Sequence, residues 1–182
     1  DIASAASLIS SGVGAQIRLA SNRDLAHAGA IRVTGSNGTG ATIGLTSSSG
    51  GISGLGAVGN STHKNAAVNF SQATTSTYGG TVHASTFAKN GAGRLQITGS
   101  LVTESSNSIN QGTLQIGTGG TAGSMTANTF VASGAALEFN RSDAYTMSAV
   151  VSGAGSLIQS GTGTTTLTAD NSYNGATSIT GG

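Results

Sequence analysis

Groups able to do acid, base or metal chemistry are few in this chain. Six carboxylates (Asp1, Asp24, Glu104, Glu138, Asp143 and Asp170) and three histidines (His27, His63 and His83) are spread over 182 residues. Cleaving or eliminating a sugar polymer on an extended scaffold needs carboxylates gathered on one face, to hold Ca²⁺ or to work as acid and base. Only Glu138 and Asp143 lie near one another, with Arg141 between them. They read as a solvated strand residue and a turn aspartate. Serine is plentiful, yet none stands in a Gly-x-Ser-x-Gly elbow beside a legible oxyanion feature. The histidines show neither HExxH nor i, i+4 spacing, which a helical zinc site would use. The Gly119-Gly120 and Gly181-Gly182 pairs lack the aspartates of a calcium-binding β-roll. The chain therefore reads as non-enzymatic, with no cofactor and no metal.

Binding groups are nearly as sparse. Tyrosine rings can stack on sugars, and Tyr145, close to Arg141 and Asp143, is the best candidate for a glycan contact. A second candidate is His63 with Lys64, inside the most polar run, Asn60 to Asn65, which reads as a loop leaving the scaffold. Tyr78 and Tyr173 each precede a glycine corner in the same repeat position and read as structural. A Thr-x-Thr ladder at Thr164 to Thr168 could order ice-like water only if the same register recurred on many turns, and it does not.

The elements that must carry these groups follow from a repeated triplet, apolar-polar-apolar. It appears as Ile17-Arg18-Leu19, Ile31-Arg32-Val33, Ile43-Gly44-Leu45, Val68-Asn69-Phe70, Leu95-Gln96-Ile97, Leu114-Gln115-Ile116 and Leu137-Glu138-Phe139. Alternation with period two is the signal of a half-buried strand, so Arg18, Arg32 and Glu138 are expected to face water. A glycine two or three residues upstream (Gly14, Gly29, Gly40, Gly93, Gly112 or Gly134) supplies a corner that needs positive φ. Corner plus short strand recurs at intervals that bracket the turn length of a β-solenoid. Ala and Leu in Asp1 to Leu8 give the one local helix signal, ended by Ser11-Gly12. From Gly35 to Asn60 the chain is Gly/Ser-rich, but its apolar residues keep coming, which favours turns of the solenoid over a flexible loop.

Composition agrees. Thirty glycines, no proline, 7% charged residues and 4% aromatics cannot build one thick core, so a thin core repeated many times is the remaining option. Zero cysteines remove disulfides, thiol nucleophiles and Cys-ligated metals together. A net charge of +1 lacks the basic stripe of a nucleic-acid binder. No run of about 18 apolar residues could span a membrane as a helix.

The C-terminal half carries a more specific pattern. Gln111-Gly-Thr-Leu-Gln-Ile-Gly117, Gly119-Gly-Thr-Ala-Gly-Ser124, Ser133-Gly-Ala-Ala-Leu-Glu-Phe-Asn-Arg-Ser-Asp143, and Ser152-Gly-Ala-Gly-Ser-Leu followed by Gly161-Thr-Gly-Thr-Thr-Thr-Leu-Thr and Tyr173-Asn-Gly-Ala-Thr together resemble bacterial autotransporter passenger domains. The last pieces are similar to that family's passenger-associated transport repeat. Upstream echoes are weaker: Tyr78 to Val82 mirrors Tyr173 to Thr177, and Lys89 to Ile97 mirrors Gln159 to Leu167.

The resemblance implies an all-β fold, a right-handed, single-stranded parallel β-helix with short strands and Gly-rich corners. It implies one β-helix segment over 1–182, loosely patterned in 1–60, intermediate in 61–111 and clearest in 112–182. The segment would belong to a larger protein on the bacterial cell surface, whose secretion signal and C-terminal β-barrel translocator lie outside this chain. The role implied is a stalk or adhesin section contacting a host surface or glycan, or associating with its own kind. The alternatives are a spacer for a catalytic domain elsewhere in the protein and a β-helical carbohydrate-active enzyme.

Overall fold

The computed structural model describes residues 2–4, 8–11, 14–34, 41–54, 56–59 and 66–182. All strand pairs among them are parallel, and no helix forms. Even Asp1 to Leu8, where composition favours a helix, contributes the strands Ile2–Ser4 and Leu8–Ser11. The chain winds as a three-faced solenoid. The first face stacks nine strands, from Ile2–Ser4 and Leu25–His27 at one end to Ser156–Gln159 and Thr177–Ile179 at the other. Nine strands bound eight turns, about 40 Å of stack at the usual spacing between strands.

The second face begins with Leu8–Ser11 and Ile31–Thr34, continues through single bridges from Ile31 to Val58 and from Val58 to Val82, and then through strand pairing of Val82 with Leu101 and of Leu101 with Met125. The third face starts with Gln16–Ser21, Thr42–Ser47 and Ala67–Gln72 and runs to Ser172–Tyr173. Val82–Asn90 and Ser100–Ile109 bend from the second face onto the third, with a register break between Ala84 and Thr86. That bend is why two long strands replace four short ones there.

Turn length varies because corners absorb insertions while strands hold register. The turn that carries Leu25 to its partner Ile52 is markedly longer than the one that carries Ile97 to its partner Ile116. The sequence triplets therefore fall on different faces: the neighbouring triplets that begin at Ile31 and Ile43 sit on the second and third faces of one turn. The Gly/Ser-rich stretch holds the strands Thr42–Ser47 and Ile52–Gly54, with Ile43, Leu45, Ile52 and Val58 in the core.

Inside, like residues stack on like. Leu95, Leu114, Leu137 and Leu157 form one buried column of the first face, and Ile97, Ile116 and Phe139 form the next. Each such side chain contributes roughly 1.5–3 kcal/mol of burial, so a column two residues wide suffices. Phe70 packs edge-on against Tyr78 (5.2 Å) and Phe87 (5.6 Å), filling the middle turns.

Close stacking at the corners explains much of the glycine. A Cβ on Gly80 would overlap the Gly56 carbonyl oxygen of the turn below, with the carbonyl carbon at 2.9 Å. Positive φ is the requirement at Gly14, Gly112 and Gly134. Gly93 is not among the positive-φ residues, and there the need is steric, since Thr74 backbone lies against it.

Two sequence expectations need correcting. Glu138 does not face water: it is 3% exposed, because long polar side chains on the outer side of the first face lie over one another from turn to turn. Tyr78 and Tyr173 do not share a position either. Tyr78 stacks with Ile97 on the first face, and Tyr173 with Gly153 on the third. The mirrored motifs align corners that belong to different faces, since all corners use glycine and all strands alternate.

Candidate surface-contact site

Arg141, Asp143 and Tyr145 are brought together where the first face turns toward the second. Arg141 donates from Nε to Asp143 Oδ1 at 2.9 Å and from its second guanidinium nitrogen to Oδ2 at 2.8 Å. Another guanidinium nitrogen donates to the Gly123 carbonyl, and the group lies 4.9 Å from the centre of the Tyr145 ring. The hydrogen bonds from Arg141 hold the Asp143 carboxyl below the usual carboxylate range. Arg141 is buried, so this charge is already matched by an internal partner.

Tyr145 is committed too. Its hydroxyl accepts from Met125 N at 3.0 Å and donates to Met125 O at 3.1 Å. Burial raises the phenol's pKa, which keeps it a neutral donor and acceptor. Ser124–Met125 pairs with Ser100–Ile109 below it, and Tyr145–Met147 pairs with Thr165–Leu167 above it. The phenol thus bridges backbone groups between these two pieces of the second face. The three residues form a clamp between turns, with Arg141 buried and Asp143 and Tyr145 half-buried. His63 and Lys64 lie outside the described residues.

A second polar system runs up the first face. Thr77 donates to Gln96 (2.8 Å), Gln96 to Gln115 (3.4 Å), and Arg94 to Gln115 (2.9 Å) and Glu138 (3.3 Å to Oε1). Arg94 also lies 3.1 Å from Glu138 Oε2, and Ser160 donates to Glu138 Oε1 at 2.6 Å. Both oxygens of the carboxylate thereby face the residues that tie four turns together. Among the described residues no three His, Cys, Asp or Glu side chains converge in a metal-binding group.

Lys89 is the group that sequence reasoning missed. It occupies an inward position between Phe70 and Ile109 and is fully buried. Its ammonium donates to the carbonyls of Asn90 (2.9 Å), Gly91 (2.7 Å) and Gln111 (3.1 Å), pinning one corner to the next. Burial pulls its pKa down to about 8. The sequence signal was the alternation itself: in Phe87-Ala88-Lys89, lysine stands where the triplets place an apolar residue.

Over 70 residues, 38% of its length, the chain is 44% identical to the adhesin BmaC autotransporter of Brucella suis biovar 1 (strain 1330). The likeness to autotransporter passengers holds. Residues and fold agree on it: the strands stack in parallel as a β-solenoid, as the passenger resemblance implied. The chain spans about 2% of the length of that relative. No family model and no solved structure matches the chain. No helix among the described residues is long and apolar enough to cross a membrane.

Proposed function

We propose that this chain is a section of a bacterial autotransporter passenger, displayed on the cell surface as a stalk and adhesin. The observation that carries the reading is the unbroken first face, nine strands in parallel register, in a chain that resembles an autotransporter adhesin. Such a stack is a spacer of defined length with three long outer surfaces. Each surface repeats its hydrogen-bonding groups at about 4.8 Å. Weak contacts repeated along it add by multivalency, toward a host surface or glycan or toward a second passenger. The segment works without catalysis, and the engagement of Glu138 with Arg94 and Ser160, and of Asp143 with Arg141, supports that reading. Translocation is the task of a β-barrel elsewhere in the protein.

The test uses bacteria displaying the full-length protein with and without residues 1–182. An epitope tag on the outermost region is scored by flow cytometry, so that only cells with equal display are compared. Adherence to host cells and clumping of the bacteria are expected to fall several-fold on deletion. Equal adherence and clumping at equal display would overturn the adhesin role. Loss of an enzymatic activity instead would favour a spacer beneath a catalytic domain.

A further inference from the structure

The third face carries a polar trough that neither the clamp at Arg141 nor the ladder at Glu138 uses. Gln16–Ser21, Thr42–Ser47, Ala67–Gln72 and the last stretch of Val82–Asn90 lie side by side there in continuous register. Their outward rows place Arg18 beside Gly44 and Gly44 beside Asn69. Gly44 has no side chain, and the gap it leaves opens into a depression of about 440 Å³. That volume falls within the range of small-molecule clefts. Gln16, Thr42, Thr46, Ser71 and Asn90 complete its lining.

Its chemistry is narrow. The lining holds amides, hydroxyls and one charge, the Arg18 guanidinium, with no carboxylate and no aromatic ring. Arg18 is exposed and makes no hydrogen bond or ion pair with the described residues, unlike Arg94 and Arg141. Its aliphatic stem lies 3.9 Å from where a Cβ on Gly44 would stand, so the side chain lies over the trough. Asn90 is oriented by Asn110, whose amide donates to its side-chain oxygen at 2.9 Å.

We infer that this trough binds a carboxylate-bearing oligosaccharide, a chain of uronic acid units. Amides and hydroxyls exchange donors and acceptors with sugar hydroxyls, and their rows repeat at about 4.8 Å along the stack. The planar guanidinium takes a carboxylate through two parallel hydrogen bonds. A single-stranded nucleic acid is a poor match, since no ring in the lining offers its bases a stacking platform. This deepens the adhesin reading by naming a ligand class for the displayed surface.

The experiment titrates the whole chain with hexagalacturonate and, in parallel, with its fully methyl-esterified form, which keeps every hydroxyl and loses every charge. Calorimetry and amide chemical shifts are the readouts. Acidic hexamer is expected to bind with shifts confined to 16–18, 42–46, 69–71 and 90, and about tenfold more tightly than the ester. Arg18→Gln is expected to bring the acid down to the level of the ester. Gly44→Val, outward on a strand with ordinary contact distances around it, is expected to fill the trough and abolish both. No titratable binding, equal affinity for acid and ester, or unchanged binding in Arg18→Gln would each overturn the inference. Adherence of displaying cells is scored separately, so that persistent adherence with an inert trough removes this site while leaving the adhesin reading in place.

Discussion

The corner glycines offer a test in which the cause of the cost can be separated. At Gly80 the obstruction is backbone on the facing side: a Cβ there would overlap the Gly56 carbonyl oxygen and come within 3.0 Å of the Tyr78 ring. Neither neighbour can yield freely, because Gly79 N donates to Gly54 O at 2.8 Å and Tyr78 hydroxyl donates to the Gly56 carbonyl. Gly80→Ala must therefore push adjacent turns apart locally. Overpacking of this kind costs about 1–3 kcal/mol, and loosening one or two interturn hydrogen bonds adds about 1 kcal/mol each. The expected loss is about 3 kcal/mol. Gly134 has positive φ and open space around it, so Gly134→Ala isolates backbone strain, about 1 kcal/mol. Gly44 has neither feature, so Gly44→Ala is expected to be neutral or mildly stabilising. Urea unfolding followed by far-UV circular dichroism gives the three values side by side. If Gly80→Ala costs no more than Gly44→Ala, close stacking at the corners is not what selects glycine there.

Other expectations concern the polar groups. Lys89 releases its proton at about pH 8 in the folded chain and near 10.5 when unfolded. Between those values the unfolded chain holds the extra proton, so stability rises with pH, by up to about 3 kcal/mol. Unfolding midpoints of the wild type minus those of Lys89→Met across pH 7 to 11 should show that rise, and parallel profiles would contradict it. Tyr145→Phe leaves Met125 N and O without their bridging hydroxyl and should cost about 1–2 kcal/mol in the same urea assay. Arg94→Met strands the buried Glu138 carboxylate and should cost about 1–3 kcal/mol, some of it recovered by adding Glu138→Gln. That coupling is readable in a double-mutant cycle.

How much was legible in the sequence depends on what each signal reports. The triplets marked strands correctly, because inward Leu and Ile beside outward Gln or Asn is a local property of a half-buried strand. Turn register was not legible, because Tyr78 and Tyr173 have similar neighbours while standing on different faces. Only the long-range partner decides the face. Glu138 read as solvated because burial by Arg94, far off in the chain, leaves no mark within its own strand. Arg141, Asp143 and Tyr145 are close in the sequence and also touch in the fold. Their engagement with Gly123 and Met125 in the preceding turn is a product of stacking. The trough at Gly44 was visible only as a glycine in the middle place of a triplet, where every other example has a side chain.

If each turn is an interchangeable layer of one stack, a whole turn can be removed and the remaining layers will close up in register. Ser76 and Leu95 are register partners, so deleting residues 76–94 places Leu95 where Ser76 stood, above Ile52. Deleting residues 76–85 leaves the following strands out of register. Small-angle scattering with circular dichroism on the whole chain is the measurement. The whole-turn deletion is expected to keep the strand spectrum and cooperative unfolding while the particle shortens by about 4.8 Å, and the half-turn deletion to lose both. Equal damage from the two deletions, or a whole-turn deletion that leaves the length unchanged, would contradict a solenoid of stacked equivalent turns.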